Sequence, residues 1–92
     1  MKAKAVYETA HAAKYLQQLA KHFAHKIEVE LTDTRAAMTL ADCEVELLAD
    51  DTALTMSVTG MEPKDVINAR YVIDKHLVTF AFREEFIGMN WV

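Results

Sequence analysis

The chain holds one cysteine, one proline and two glycines in 92 residues, and each scarcity closes off a class of protein. A lone Cys43 permits neither an intramolecular disulfide nor a thiolate metal cluster. With only Gly60 and Gly88 there is no glycine-rich loop to cradle a phosphate. No apolar run approaches the roughly 20 residues of a membrane span, and Met1-Lys2-Ala3-Lys4-Ala5-Val6-Tyr7-Glu8 lacks the unbroken apolar core of a signal peptide. A net charge of −4 with no long basic run argues against a general nucleic-acid binder, which needs a cationic footprint to displace counterions. From these absences we expect a cytoplasmic protein, bacterial in style, that engages neither nucleic acid nor membrane.

What remains is enough for one domain spanning residues 1–92 and too little for two. Hydrophobic residues make up 52% of the chain, on the rich side for a soluble domain. That surplus permits a homodimer interface without requiring one.

Thr9 reads as an N-cap. After it Ala12, Leu16, Leu19, Ala20 and Phe23 recur at helical spacing, predicting a helix over residues 10–25. The period then changes from 3.6 to 2. Ile27, Val29 and Leu31 begin a series continued by Ala36, Met38 and Leu40, then Cys43, Val45 and Leu47, then Leu54, Met56 and Val58. Turn-prone groups separate these four strands, so they read as an antiparallel meander with one buried and one wet face. Glu28, Glu30, Glu44 and Glu46 fall on the wet face. Asp50-Asp51 reads as a turn, because the glycine and third carboxylate of a calcium loop are missing after it.

Pro63 then opens a second helix, with Asp65 at its positive end and Val66, Ala69, Ile73, Leu77 and Phe80 as its stripe. Ile87, Met89 and Trp91 suggest a last strand, and residues 3–7 a short edge strand. The expected fold is an α+β two-layer sandwich of order (β)αββββαβ. An antiparallel sheet of four to five strands carries two helices on one face.

Two stretches stand out for chemistry. The first is Lys21-His22-Phe23-Ala24-His25-Lys26. The second runs from His76 through Phe80 and Arg83 to Phe86. Histidine titrates near neutrality and ligates metals. Lys21, His22, His25 and Lys26 can cap the end of the first helix, contact an anionic ligand or partner, or supply metal ligands at i, i+3. The metal reading needs a third ligand, such as His76 or Glu84. His76 sits in the apolar stripe and reads as a satisfied core histidine. Arg83 can hold a carboxylate in two parallel hydrogen bonds, as an internal clamp at the end of the second helix or on a ligand. Cys43 points inward as a small hydrophobe. Nothing amounts to a catalytic set, so a non-enzymatic protein without a cofactor is expected.

Residues 14–26, together with the His76-Leu77-x-x-Phe80-Ala81-Phe82-Arg83-Glu84-Glu85 run and Trp91, resemble the two signatures of the family called domain of unknown function 2218. Lys14 stands where that family carries Arg, and Ala20 where Cys is frequent. The resemblance implies a binding or adaptor module in an iron or siderophore-uptake context. A ferric chelate or a siderophore-interacting reductase would be its partner, met by Lys21, His22, His25, Lys26, His76 and Arg83. A structural or self-associating domain is the alternative reading, and a metal site of His22, His25 and His76 a third.

Four strands between the helices bring the chain back to the end it left, so the helices should run antiparallel. On that argument the two stretches stay apart, His76 in the core and His22 and His25 in solvent.

Overall fold

Seven elements succeed one another in chain order in a computed structural model that describes residues 1–81, 84, 88, 89, 91 and 92. They are β1 (Lys2–Glu8), α1 (Ala12–Phe23), β2 (Val29–Leu31), β3 (Arg35–Leu40), β4 (Cys43–Ala49), β5 (Ala53–Thr59) and α2 (Pro63–Phe80). The strands form one sheet of order β1-β5-β4-β3-β2, every neighbouring pair antiparallel. The meander is as the alternation predicts, and the N-terminal edge strand is real, adding beside β5.

Period-2 alternation puts Ala3, Ala5, Ala36, Met38, Cys43, Val45, Leu47, Leu54, Met56 and Val58 on one buried face. Leu16, Leu19 and Ala20 of α1 and Val66, Ala69, Ile73 and Leu77 of α2 close over it in the same core. Each large side chain removed from water there contributes about 1.5–3 kcal/mol. On the far face Glu28, Glu30 and Glu44 are exposed, and Glu46 is half exposed, 2.8 Å from Arg35 Nε. The fold is therefore the α+β sandwich expected, both helices on one side.

Local chemistry fixes the connections. Ala41 and Asp42 both take positive φ, 52° and 64°, the two-residue turn whose twist suits a hairpin. Asp50 accepts hydrogen bonds from the backbone N–H of Thr52 and Ala53, both at 2.8 Å, which consumes its carboxylate as a turn should. α2 opens with Pro63, as expected. Two expectations need correction. His11, not Thr9, occupies the N-cap of α1, because the Thr9 backbone follows directly on β1 and is still tied across to the turn before β5, its N–H bonded to Thr52 O at 2.9 Å. For the last strand, Ile87 lies outside the described residues. What the described tail shows is Val92 paired with Lys4 through two backbone hydrogen bonds of 2.8 and 2.9 Å, along the outer edge of β1.

Asp74 anchors that tail to α2. Its carboxylate accepts from the Trp91 indole N–H at 3.1–3.2 Å and from Met89 N–H at 3.2 Å, while Arg70 lies over the Trp91 ring at 5.6 Å. Burial pushes the Asp74 carboxyl up, against the pull of those bonds.

Gly60 is required by a close approach. A Cβ there would lie 2.6 Å from Cys43 Sγ and 3.2 Å from Val66 Cγ2. Gly60→Ala should therefore cost about 1–3 kcal/mol from overpacking. Adding Cys43→Ala should recover part of it, leaving an interaction energy above about 0.5 kcal/mol in urea denaturation of the four variants. Strict additivity would show that the contact with sulfur does not limit the site.

Candidate functional site

α2 has 18 residues and α1 only 12, so at 1.5 Å per residue α2 is about 9 Å the longer. His76 stands four residues before the end of α2, and its ring lies 4.3 Å from that of His22 in the last turn of α1. It also meets Phe23 edge-on at 5.4 Å, and His22 meets Phe80 at 6.1 Å. Further along, Glu84 reaches Thr9 and Tyr15 at the start of α1. His76, Phe80 and Glu84 thus meet α1 at points from its last turn back to its start. The helices do run in opposite senses along this contact, yet the stretches meet. The expectation of separation failed because it treated the second stretch as a point at a helix end. It is a strap laid along α1.

At the His76 end of the strap lies a cleft of about 570 Å³, within the range of about 300–1,000 Å³ usual for ligand sites. His22, His25 and Lys26 come from the end of α1 and the turn after it, Lys75 and His76 from α2. Phe23, Ile27, Leu40 and Val72 supply the apolar lining. His22, His25, Lys26 and Lys75 are exposed and His76 is half-buried. Burial, then the positive neighbours His22, Lys75 and Lys26, pull the His76 imidazole below its ordinary value, so its neutral form is favoured.

Of the six residues singled out in the sequence, the cleft brings together His22, His25, Lys26 and His76. Lys21 is exposed and does not line it, and Arg83 lies outside the described residues. Among the described residues no three His, Cys, Asp or Glu side chains are arranged to hold a metal ion, so His22, His25 and His76 do not form a ligand set. Sequence reasoning missed Lys75, although it adjoins His76, and the apolar lining drawn from four elements. It also missed the grip at the other end of the strap.

That grip centres on the Glu84 carboxylate, which accepts from the Tyr15 hydroxyl and from Thr9 Oγ1 at 2.9 Å. The hydrogen bond from Tyr15, then those from Thr9 and Tyr7 and the nearby His11, hold the Glu84 carboxyl below its usual range against the opposing effect of burial. Burial and then Glu84 push the Tyr15 hydroxyl up to about 12. Tyr7 stacks on Tyr15 at 6.4 Å and His11 meets it edge-on at 6.2 Å. At 100° per residue, His11, Tyr15 and His22 share one flank of α1. That flank is the face along which the strap runs.

With the strap and cleft in place, kinship can be assigned. A family model described as uncharacterized proteins conserved in bacteria (DUF2218) matches residues 4–92. The chain belongs to this family. It is also similar to the NMR structure of PA4090 from Pseudomonas aeruginosa, with a TM-score of 0.81 and 30% identity over 99% of this chain and 94% of that one. Among curated proteins nothing matches. Membership in DUF2218 establishes the kinship and leaves the chemistry to the site.

The shifted groups set three pH windows for this DUF2218 chain. A lowered imidazole means the folded state binds its proton less well, so the His76 contribution is lost as pH falls below about 6.5. The lowered Glu84 carboxyl contributes fully above about 4.5 and loses its effect below it. The raised Tyr15 hydroxyl contributes fully below about 10 and loses its effect between 10 and about 12. Thermal denaturation against pH should show His76→Gln flattening the slope just below 6.5. Tyr15→Phe should flatten the alkaline limb and cost about 1–2 kcal/mol at pH 7, the low end for a charge-assisted bond because Glu84 can regain water. Unchanged limbs in both variants would reject these assignments.

Proposed function

We propose that this chain is a non-enzymatic binding module whose ligand is taken at the cleft between the end of α1 and the second half of α2. One observation carries the reading: among the described residues, every ionisable group lining the cleft is basic, in a chain whose net charge is −4. Such a concentration of one sign beside apolar lining is costly unless an anion completes it. The arrangement also lacks the pairing that proton-transfer catalysis uses, because His76 faces another imidazole and Glu84 is engaged at the far end of the strap. The family resemblance suggests an iron-acquisition setting, with an anionic ferric chelate as the occupant and a siderophore-interacting reductase as its onward partner.

Ferric citrate tests the iron setting directly. Its paramagnetism should broaden the amide signals of residues 22–27, 40 and 72–76, and gallium citrate should shift them without broadening. Lys26→Ala with Lys75→Ala should weaken binding about tenfold, equivalent to about 1.4 kcal/mol, and leave thermal stability unchanged. Broadening elsewhere, or affinity indifferent to the double variant, would count against the cleft.

Self-association is the second reading, and α2 supplies the observation behind it. Ile67, Tyr71 and Val78 stand 58%, 65% and 37% exposed at spacings that align them on one outward stripe. If that stripe pairs two copies, sedimentation will show a dimer that Tyr71→Lys dissociates. A monomer at high concentration removes this reading.

A further inference from the structure

We infer that the cleft takes a small carboxylate with an apolar body, such as a medium-chain fatty acid, its head among Lys26, Lys75 and His76 and its body on Phe23, Ile27 and Val72. Binding tightens as pH falls through the range in which histidine titrates. The inference rests on the reading of the cleft as the ligand site and adds the chemistry of the occupant.

Three features select this class. Phe23, Ile27, Leu40 and Val72 come from α1, the turn after it, β3 and α2, so an apolar body would be enclosed from several sides and release water from each. The charged rim stands at the C-terminal, negative end of the α1 dipole, which favours a singly charged head over a phosphate dianion. The described lining residues include neither a helix N-terminus nor an arginine fork, the usual devices for phosphate. A monoanion with an apolar body satisfies both halves of the lining.

The pH dependence comes from the groups that face His76. His22, His25 and Lys26 face it from α1 and the turn after it, Lys75 from α2, and Leu40 of β3 is uncharged. No carboxylate offsets them among the described lining residues, so the empty cleft resists a further proton. A bound carboxylate removes that resistance and the cleft takes up a proton with the ligand. Burial already favours the neutral ring in the empty state, which leaves room for the shift.

Octanoate below its micellar concentration, 1-octanol and inorganic phosphate are the probes, with binding read by calorimetry and amide shifts. Octanoate should bind with shifts at residues 22–27, 40 and 72–76, about tenfold more tightly at pH 5.5 than at 7.5, where uptake of half a proton per ligand gives that factor. Octanol and phosphate should each bind at least about tenfold more weakly, the factor that corresponds to about 1.4 kcal/mol. His76→Gln should flatten the pH dependence. Lys75→Ala, at an exposed position, should weaken octanoate and keep the slope. Octanol equal to octanoate would make the site merely apolar, and phosphate equal to it would make it a bare anion site; either overturns the inference, as does pH-independent affinity. If octanoate fails while ferric citrate still maps to the cleft, the carboxylate class falls and the binding reading stands. If neither octanoate nor ferric citrate maps to the cleft, both fall.

Discussion

The sheet has one apolar face, and two helices of unequal length must cover it. That constraint places the core, the cleft and the strap alike. Alternation along β3, β4 and β5 commits Met38, Val45, Leu47, Met56 and Val58 to the same side, and a slip of one residue would instead bury Glu44 and Glu46 in β4 and Thr55 and Ser57 in β5. α1 crosses from the β1 edge of the sheet to the β2 edge, since β1 precedes it and β2 comes after it. α2 packs beside it and extends past its end. Where α1 stops and α2 continues, the side chains of two helices and the end of β3 surround a space that none of them fills. The cleft is thus a consequence of covering one face with helices of 12 and 18 residues.

Charge is distributed unevenly over this frame. Carboxylates occupy the open sheet face around Glu28, Glu30 and Glu44, and basic groups gather where the helices meet. At the end of α1 the cations have a local reason to be present, because they complement the negative end of the helix dipole. Lys75 and His76 have no such reason, since they precede the last turn of α2. Beside burial, His22, Lys75 and Lys26 raise the cost of charging the His76 imidazole. The ordinary role of basic residues at a helix end therefore accounts for half of the cluster only. The other half distinguishes a site from a cap.

Much of this could be read from the chain. Period-2 stripes and the turn residues between them gave all four meander strands and the one-sided burial. Pro63 gave the start of α2. The histidine stretches were visible as well, because residue type alone marks them. What stayed illegible was the relation between elements. An even number of strands correctly implies opposed helices, but it carries no information on how far one helix slides past the other. That offset decides whether His22 meets His76. The Leu40 and Val72 lining was hidden for the same reason: each reads as an ordinary core position until the neighbouring helix stops short of it. Thr9 misled because its hydroxyl has the chemistry of a cap, while its backbone follows directly on β1 and its oxygen serves His11 and Glu84.

The second stretch thereby acquires a single physical role with two ends. Leu77 keeps α2 on the core, His76 and Phe80 face the last turn of α1, and Glu84 binds its start through Thr9 and Tyr15. A segment fixed at both ends of a helix has little freedom to slide along it. The spacing of His76 from His22 is then set by contacts about two turns of α1 away, at Tyr15, as well as by the rings themselves. Glu84 is exposed and its partners Thr9 and Tyr15 are buried, so the far anchor depends on solution conditions more than the core does. Below the Glu84 window the anchor weakens, and lower pH also charges His76 against its burial and basic neighbours, so the two effects act together to part the strap from α1. Near neutrality the anchor is closed and His76 favours its neutral form. The cleft is best defined in the range where an anion has the most to contribute to its charge balance.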